Sequence, residues 1–174
     1  MLVIRPASSA EAQDLAKIGL AAWENVINLW GEDAGRLREN ARNAYYDFCT
    51  RGWPDILVAE WHGDLAGWGA CEKADDFITD LWVHPSFQGR GIGTALLEEI
   101  ETGIRQRGYS AARLDTHARN IAAIRLFKRL GYRVKTYFVS YSEPLDEDID
   151  KVEMIKEFDP GAESKPEEDG LYSP

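Results

Sequence analysis

Apolar and polar positions change period several times along the chain, and each change marks an element. LVIRPA near the start reads as a short strand. SSAEAQDLAKIGLAAWENVINLW follows as a helix, with Ser8 or Ser9 as N-cap and Glu11 where a capping box needs it. A second helix runs through GRLRENARNAYYDFCTRG and stops at Gly52-Trp53-Pro54. Three strand-like runs come next, DILVAEWH, DLAGWGACEKA and FITDLWVH, the first two joined by a turn at His62-Gly63-Asp64. TALLEEIETGIRQRG returns to helical period, with Leu96, Ile100 and Ile104 on one face and Gly108 at its end. SAARLDTH is a strand. NIAAIRLFKRLG is a helix capped by Asn120, with Ile124, Phe127 and Leu130 on one face and Gly131 at its end. YRVKTYFVSY and VEMIKEF close the pattern as two strands joined by an acidic loop, SEPLDEDID. Hairpins mix with crossover helices, so an α/β (α+β) fold with a mixed sheet of about seven strands and about four helices is expected.

One domain is expected from 174 residues without internal repeats, enough chain to bury about 70% of its unfolded surface. No apolar window reaches the length of about 18 residues that a membrane span needs. The start, MLVIRPASSAEAQDL, lacks a basic region followed by an apolar one, so a cytoplasmic protein with no membrane partner is expected. Cys49 and Cys71 fit no metal spacing and no disulfide framework, and free thiols are expected.

The net charge of −10 changes meaning once it is located. From Glu143 onward 12 acidic residues face 3 lysines, whereas residues 1–142 hold 18 acidic and 17 basic residues. The body is nearly neutral. It lacks the basic stripe that nucleic acid requires, which argues against nucleic acid as a partner. DPGAESKPEEDGLYSP is too poor in apolar residues to offset the entropy of ordering. Residues 1–158 are therefore expected to form the domain, and 159–174 an acidic, flexible tail.

Candidate chemistry lies in the seam HPSFQGRGIGTALL, residues 84–97, where glycines alternate between a strand and a helix. Free backbone N–H groups and the positive end of a helix dipole favour an anion there, and glycine lets the backbone wrap a phosphate closely. Two common phosphate motifs fail. In G-x-G-x-x-G the third glycine falls on Thr94 or Leu96, and a P-loop needs a lysine before Thr94 where Gly93 stands. Gln88, Gly91 and Gly93 do form Q-x-x-G-x-G, with V-H-P before it and N-x-x-A-I-x-L-F-x-x-x-G-Y from Asn120 to Tyr132 after it. These runs, in this order, resemble the GNAT superfamily of acyl-CoA-dependent N-acetyltransferases over about residues 2–158.

The resemblance implies a GNAT fold, acetyl-CoA as cofactor, and direct transfer of acetyl to a primary amine of a small molecule or a protein N-terminus. It implies that the pantetheine arm pairs with the strand around Leu81 and Val83 like an added strand. Gln88, Gly89, Arg90, Gly91, Ile92, Gly93 and Thr94 would hold the pyrophosphate. Asn120 would bond the pantetheine as well as cap its helix. Phe127 stands by the cofactor where many members have a tyrosine that protonates the leaving thiolate, and phenylalanine has no proton to give. Either the thiolate leaves unaided, or Tyr132, Tyr137 or Tyr141 reaches in. The same substitution leaves open an alternative, a non-catalytic acyl-CoA-binding or regulatory module. A homodimer is implied by the family alone, since the sequence shows no heptads.

Direct attack needs a base for the ammonium proton and polarisation of the carbonyl. The resemblance implies Asp115 as the first candidate base, since it lies five residues before Asn120, where ribosomal-protein alanine acetyltransferases of similar pattern carry a glutamate; strand alternation also sets it on one face with His117. Asp80, on the strand of Leu81 and Val83, is the second. Asp115 and His117 also read as a surface pair, Asp80 as a tie to a neighbouring loop, and a water chain is a further option. His84 and His62 fall at a strand end and in a turn, where structural roles are expected. Most of Trp23, Trp30, Tyr45, Tyr46, Phe48 and Trp53 should be core. The remainder would line an acceptor pocket attractive to cations. Asp146, Glu147 and Asp148 would add attraction for a positively charged acceptor.

Overall fold

In the computed structural model, which describes residues 1–31 and 34–159, the chain opens with β1 (Leu2–Pro6). Ser8 then caps a single 3-10 turn, and the Glu11 carboxylate accepts the Ser8 N–H at 2.8 Å. The Arg5 guanidinium beside Glu11 holds that carboxyl down to about 2, fixing the entry to α1 (Ala12–Leu29). After α2 (Ala34–Gly52) come β2 (Ile56–Trp61), β3 (Asp64–Ala70), β4 (Phe77–Ile78) and β5 (Asp80–Val83). The remainder is α3 (Ile92–Gln106), β6 (Ala111–His117), α4 (Ile121–Arg129), β7 (Arg133–Ser142) and β8 (Glu147–Glu157). The expected α+β class and the four α-helices are present.

The sheet differs in one respect that matters for the site. There are eight described strands, in two sheets ordered β1-β2-β3-β5 and β4-β6-β8-β7. The run FITDLWVH, expected as one strand, is two. Phe77 and Ile78 pair in parallel with Arg113 and Leu114, whereas Asp80–Val83 pair antiparallel with β3. Thr79 makes the switch: its N–H and its hydroxyl both bond the Ala70 carbonyl, at 2.9 and 3.2 Å. The sheets therefore part beside β5, whose edge opposite β3 carries no described strand. An extended ligand that pairs as a strand needs such an edge. The acidic loop is also shorter than expected. Pairing with Val139–Ser142 draws Glu147–Asp150 into β8, and only Glu143–Asp146 remain as the turn.

Three packed clusters hold these layers. Trp68 of β3 is fully buried, donates its indole N–H to the Leu15 carbonyl at 2.8 Å and stacks on Phe48, tying α1 and α2 to the first sheet. On the second sheet Leu97, Ile104, Leu114, Phe127 and Met154 join α3 and α4 to β6 and β8. Glu101 of α3 is the one buried charged residue among those described, bonded by Tyr132 Oη at 2.9 Å and Lys156 Nζ at 2.8 Å. Cys49 is buried, Cys71 half-buried, and both are free thiols. None of the described helices is long and apolar enough to cross a membrane. The tail expected over 159–174 lies outside the described residues from 160 onward.

β5 is held close to β3 because Gly67 has no side chain. A Cβ there would stand 2.6 Å from the Trp82 carbonyl oxygen, a backbone atom that cannot turn aside. Gly67→Ala is accordingly expected to push β5 outward and cost about 1–3 kcal/mol of stability. Denaturant unfolding measures this; an unchanged midpoint would show that β5 yields freely.

Candidate active site

Two cavities meet beside β5. The larger, about 750 Å³, lies between β5, the glycine seam and α4. Leu81, Val83, Gln88, Gly89, Gly91, Ile92, Gly93, Thr94, Asn120 and Phe127 all border it. Arg90 does not: its guanidinium bonds the Ser86 carbonyl at 3.3 Å and lies over the Phe87 and Trp61 rings. Ile92 is buried in the core below, so only its backbone can serve a ligand.

The seam takes its shape from Gln88 and the glycines. Gln88 Nε2 donates to the Val83 carbonyl at 3.2 Å, which folds the loop back on β5. Gly91, in the left-handed conformation at φ 77°, is the N-cap of α3 and supplies no side chain to cap it. The first intrahelical bond is from Ala95 N–H to the Gly91 carbonyl at 3.0 Å. The N–H groups of the first helical turn therefore point out of the helix toward whatever the cap position holds. Cβ atoms built at Gly89 or Gly91 would meet nothing within 4 Å. This space against bare backbone suits a pyrophosphate. At α4, by contrast, the Asn120 Oδ1 accepts the Ala123 N–H at 3.2 Å.

The smaller cavity, about 360 Å³, lies between α1, α2, β5, β6 and the β7–β8 turn. Both acids expected from the sequence border it, as do His117, Trp23, Trp30, Tyr45 and Phe48. Val26, Trp30, Trp82 and Asn120 line both cavities, so the two adjoin there.

The acids differ in state. Asp80 Oδ1 accepts the Trp82 indole N–H at 2.9 Å. Burial pushes its carboxyl up to about 7; the bond from Trp82 opposes this rise, and the nearby charges of Glu72 and Asp115 add to it. Asp115 is instead paired with Lys151 Nζ at 3.1 Å. His117 packs on Trp30 with ring centres 4.4 Å apart, and its Nδ1 accepts the Arg119 N–H at 3.0 Å. Burial, with the Arg119 charge second, lowers its pKa and leaves it neutral at pH 7. His84 Nδ1 accepts the Ser86 N–H at 3.2 Å, and His62 occupies a positive-φ turn position at 55°.

Of the three tyrosines considered as acids, Tyr132 is buried with its hydroxyl committed to Glu101, and burial raises its pKa further. Tyr137 is exposed on β7. Tyr141 borders the smaller cavity and donates its hydroxyl to Asp146. Phe127 is buried edge-on against Tyr132. Among the early aromatics, Trp23 and Tyr45 are core, Trp30 and Phe48 are partly buried beside them, and Tyr46 is exposed. Trp82 was not singled out by sequence reasoning. Its signal was strand alternation, which sets residues 80 and 82 on one face and 81 and 83 on the other.

The family model for the acetyltransferase (GNAT) family matches residues 22–132, from inside α1 to the residue after α4 and its glycine. The chain belongs to the GNAT family. An acetyltransferase of Sodalis glossinidius is 32% identical over 130 residues, covering 72% of this chain and 91% of that protein. An uncharacterised N-acetyltransferase of Methanocaldococcus jannaschii is 36% identical over 89 residues, 46% of this chain but only 39% of its own length. Among solved structures, the PaiA N-acetyltransferase of Thermoplasma acidophilum in complex with coenzyme A aligns with a TM-score of 0.74 at 19% identity, over 91% of this GNAT chain and 99% of that one. At that identity the likeness is one of fold.

Proposed function

We propose that the protein is an N-acetyltransferase that moves an acetyl group from acetyl-CoA to a primary amine, with Asp80 as general base. The observation that carries this is the junction of the two cavities at Trp82 and Asn120, with a carboxyl titrating near neutrality on one side and a bare glycine cradle on the other. Bound acetyl-CoA would supply an acetyl thioester, an acyl group activated toward amines. The α3 N-terminus and the Gly89–Gly91 backbone would hold its pyrophosphate, and the open edge of β5 its pantetheine arm. Asp80 would take the proton of the attacking ammonium, a role suited to a base whose pKa lies near the working pH. Trp82 fixes its carboxylate orientation through the indole N–H. Asp115, neutralised by its ion pair with Lys151, would shape that wall of the acceptor site rather than act as the base. Tyr141 is the one hydroxyl of the three proposed acids that borders the acceptor side. Phe127 remains the feature that favours a binding module without turnover.

Calorimetric titration with acetyl-CoA tests the cofactor half. Tight, saturable binding is expected, and Gly91→Trp should weaken it about 100-fold or more, equivalent to about 2.7 kcal/mol. The indole would fill the open space at the cap, and φ 77° adds strain for any L side chain. Absence of binding by the unmodified protein would overturn the reading.

A further inference from the structure

We infer that the acceptor is a small primary amine on a flat apolar body without a carboxylate, rather than a polyamine or a polypeptide N-terminus. The inference rests on the acetyltransferase reading above and deepens it.

Size is the first constraint. A cavity of about 360 Å³ is near the bottom of the range of about 300–1,000 Å³ that small-molecule sites occupy. The β7–β8 turn packs against α1 and α2 instead of standing clear of them as a groove for an extended chain requires. Leu145 and Ile149 are 9% exposed and share one packed cluster with Trp23 and Tyr45. The family match ends at Tyr132, so this closing turn lies outside the shared segment.

Wall chemistry is the second. Trp23, Trp30, Tyr45, Phe48 and Trp82 bring rings from α1 and its C-cap, α2 and β5 to one cavity, with Tyr45 edge-on to Trp82 at 5.3 Å. Such faces favour a flat apolar body and also attract the cation it carries.

Charge is the third. Lys151 is the one formally charged base in the described lining, and it is paired with Asp115 at 3.1 Å. A carboxylate beside the amine would enter with no unpaired cation to receive it. Asp80 is the one acid of that lining that is neither ion-paired nor exposed. The second ammonium of a polyamine would find, apart from the rings, only Glu143, an exposed carboxylate on the turn where water screens the pairing.

The test offers phenethylamine, phenylalanine, spermidine and an alanine-initiated hexapeptide separately to the full chain with acetyl-CoA, and follows thiol release. The expected kcat/KM for phenethylamine exceeds each of the others by about tenfold or more, the scale on which pocket contacts discriminate. A smaller ratio, or a preference for any of the other three, overturns the inference. Leu145→Trp, which fills the turn side of the cavity, should raise KM for phenethylamine while coenzyme A binding by calorimetry stays unchanged; an unchanged KM also overturns it. If coenzyme A binds and nothing is acetylated, the enzymatic reading fails separately. Tryptophan fluorescence then decides: saturable quenching by phenethylamine, absent with spermidine, supports the inference, and no quenching overturns it.

Discussion

Asp80→Asn is expected to lower kcat/KM at least about 100-fold, the usual scale of a lost general base, while making the protein more stable above pH 7. The two effects have one cause. The carboxyl sits beside Tyr45 and Trp82 in the wall of the smaller cavity, and burial holds its pKa near 7. In the unfolded chain it titrates near 3.8. The folded state therefore keeps a proton that the unfolded state gives up. The resulting stabilisation is complete below pH 4, declines between 4 and 7, and is gone above about 7. Asparagine has no proton to lose and can still accept the Trp82 N–H. Its advantage over aspartate thus grows with pH, to no more than about 4 kcal/mol at one unit per 1.36 kcal/mol. In the unmodified enzyme kcat/KM should rise with pH through an inflection near 7 and then level, because only the carboxylate accepts the ammonium proton.

Asp115→Asn provides the contrast. It frees Lys151 from its ion pair and removes a charge that helps raise the Asp80 pKa, so it should weaken the reaction and move the inflection somewhat below 7 without abolishing it. Thermal melts at pH 5 and pH 8, together with pH–rate profiles of both variants, separate the assignments. If Asp80→Asn keeps its rate within about threefold, or if the inflection disappears in Asp115→Asn instead, Asp80 is not the base.

Local features were legible wherever neighbours along the chain determine them. Ser8 with Glu11, Asn120 ahead of α4 and the glycines after the helices all follow from backbone groups a few residues away. So does the seam, since a helix N-terminus free of side chains can be read from Gly91 and Gly93 alone. The split at Thr79 was not legible, because an unbroken apolar run looks the same whether one sheet or two receive it. The acidic residues 147–150 looked like a loop because composition, not pairing, was all the sequence offered; β7 supplies the pairing. The order of the two acids was hidden for a similar reason. What separates Asp80 from Asp115 is helix packing over one and Lys151 beside the other, and both partners come from distant segments. Glu101 carried a signal that was missed. It follows Leu97 by four residues and precedes Ile104 by three, which places a carboxylate on the apolar face of its helix.

That position makes Glu101→Ala the substitution with the largest expected effect on stability. Glu101 is 1% exposed and receives Tyr132 Oη, Lys156 Nζ and, at 3.3 Å, Arg105 Nη2. Removing it leaves two cations facing each other with no acid between them, and Tyr132 without its partner. Lys156 keeps a partial path to water, but Tyr132 is 3% exposed and Arg105 Nε is already buried without a partner. Breaking a buried charge cluster at one member costs about 3–5 kcal/mol, or a fall in Tm of about 6–20 °C for a chain of this size. Tyr132→Phe removes one hydroxyl and leaves the ion pairs intact, so it should cost only about 1 kcal/mol. The cluster joins α3, which carries the glycine cradle, to Lys156 of β8 and to Tyr132, three residues past the end of α4. Its loss should therefore lower the temperature at which acetyl-CoA binding fails while leaving affinity at 20 °C nearly unchanged. Differential scanning calorimetry of the two variants settles the matter. A loss of only about 2–4 °C in Glu101→Ala, equal to that of Tyr132→Phe, would mean that the charges contribute nothing beyond one hydrogen bond.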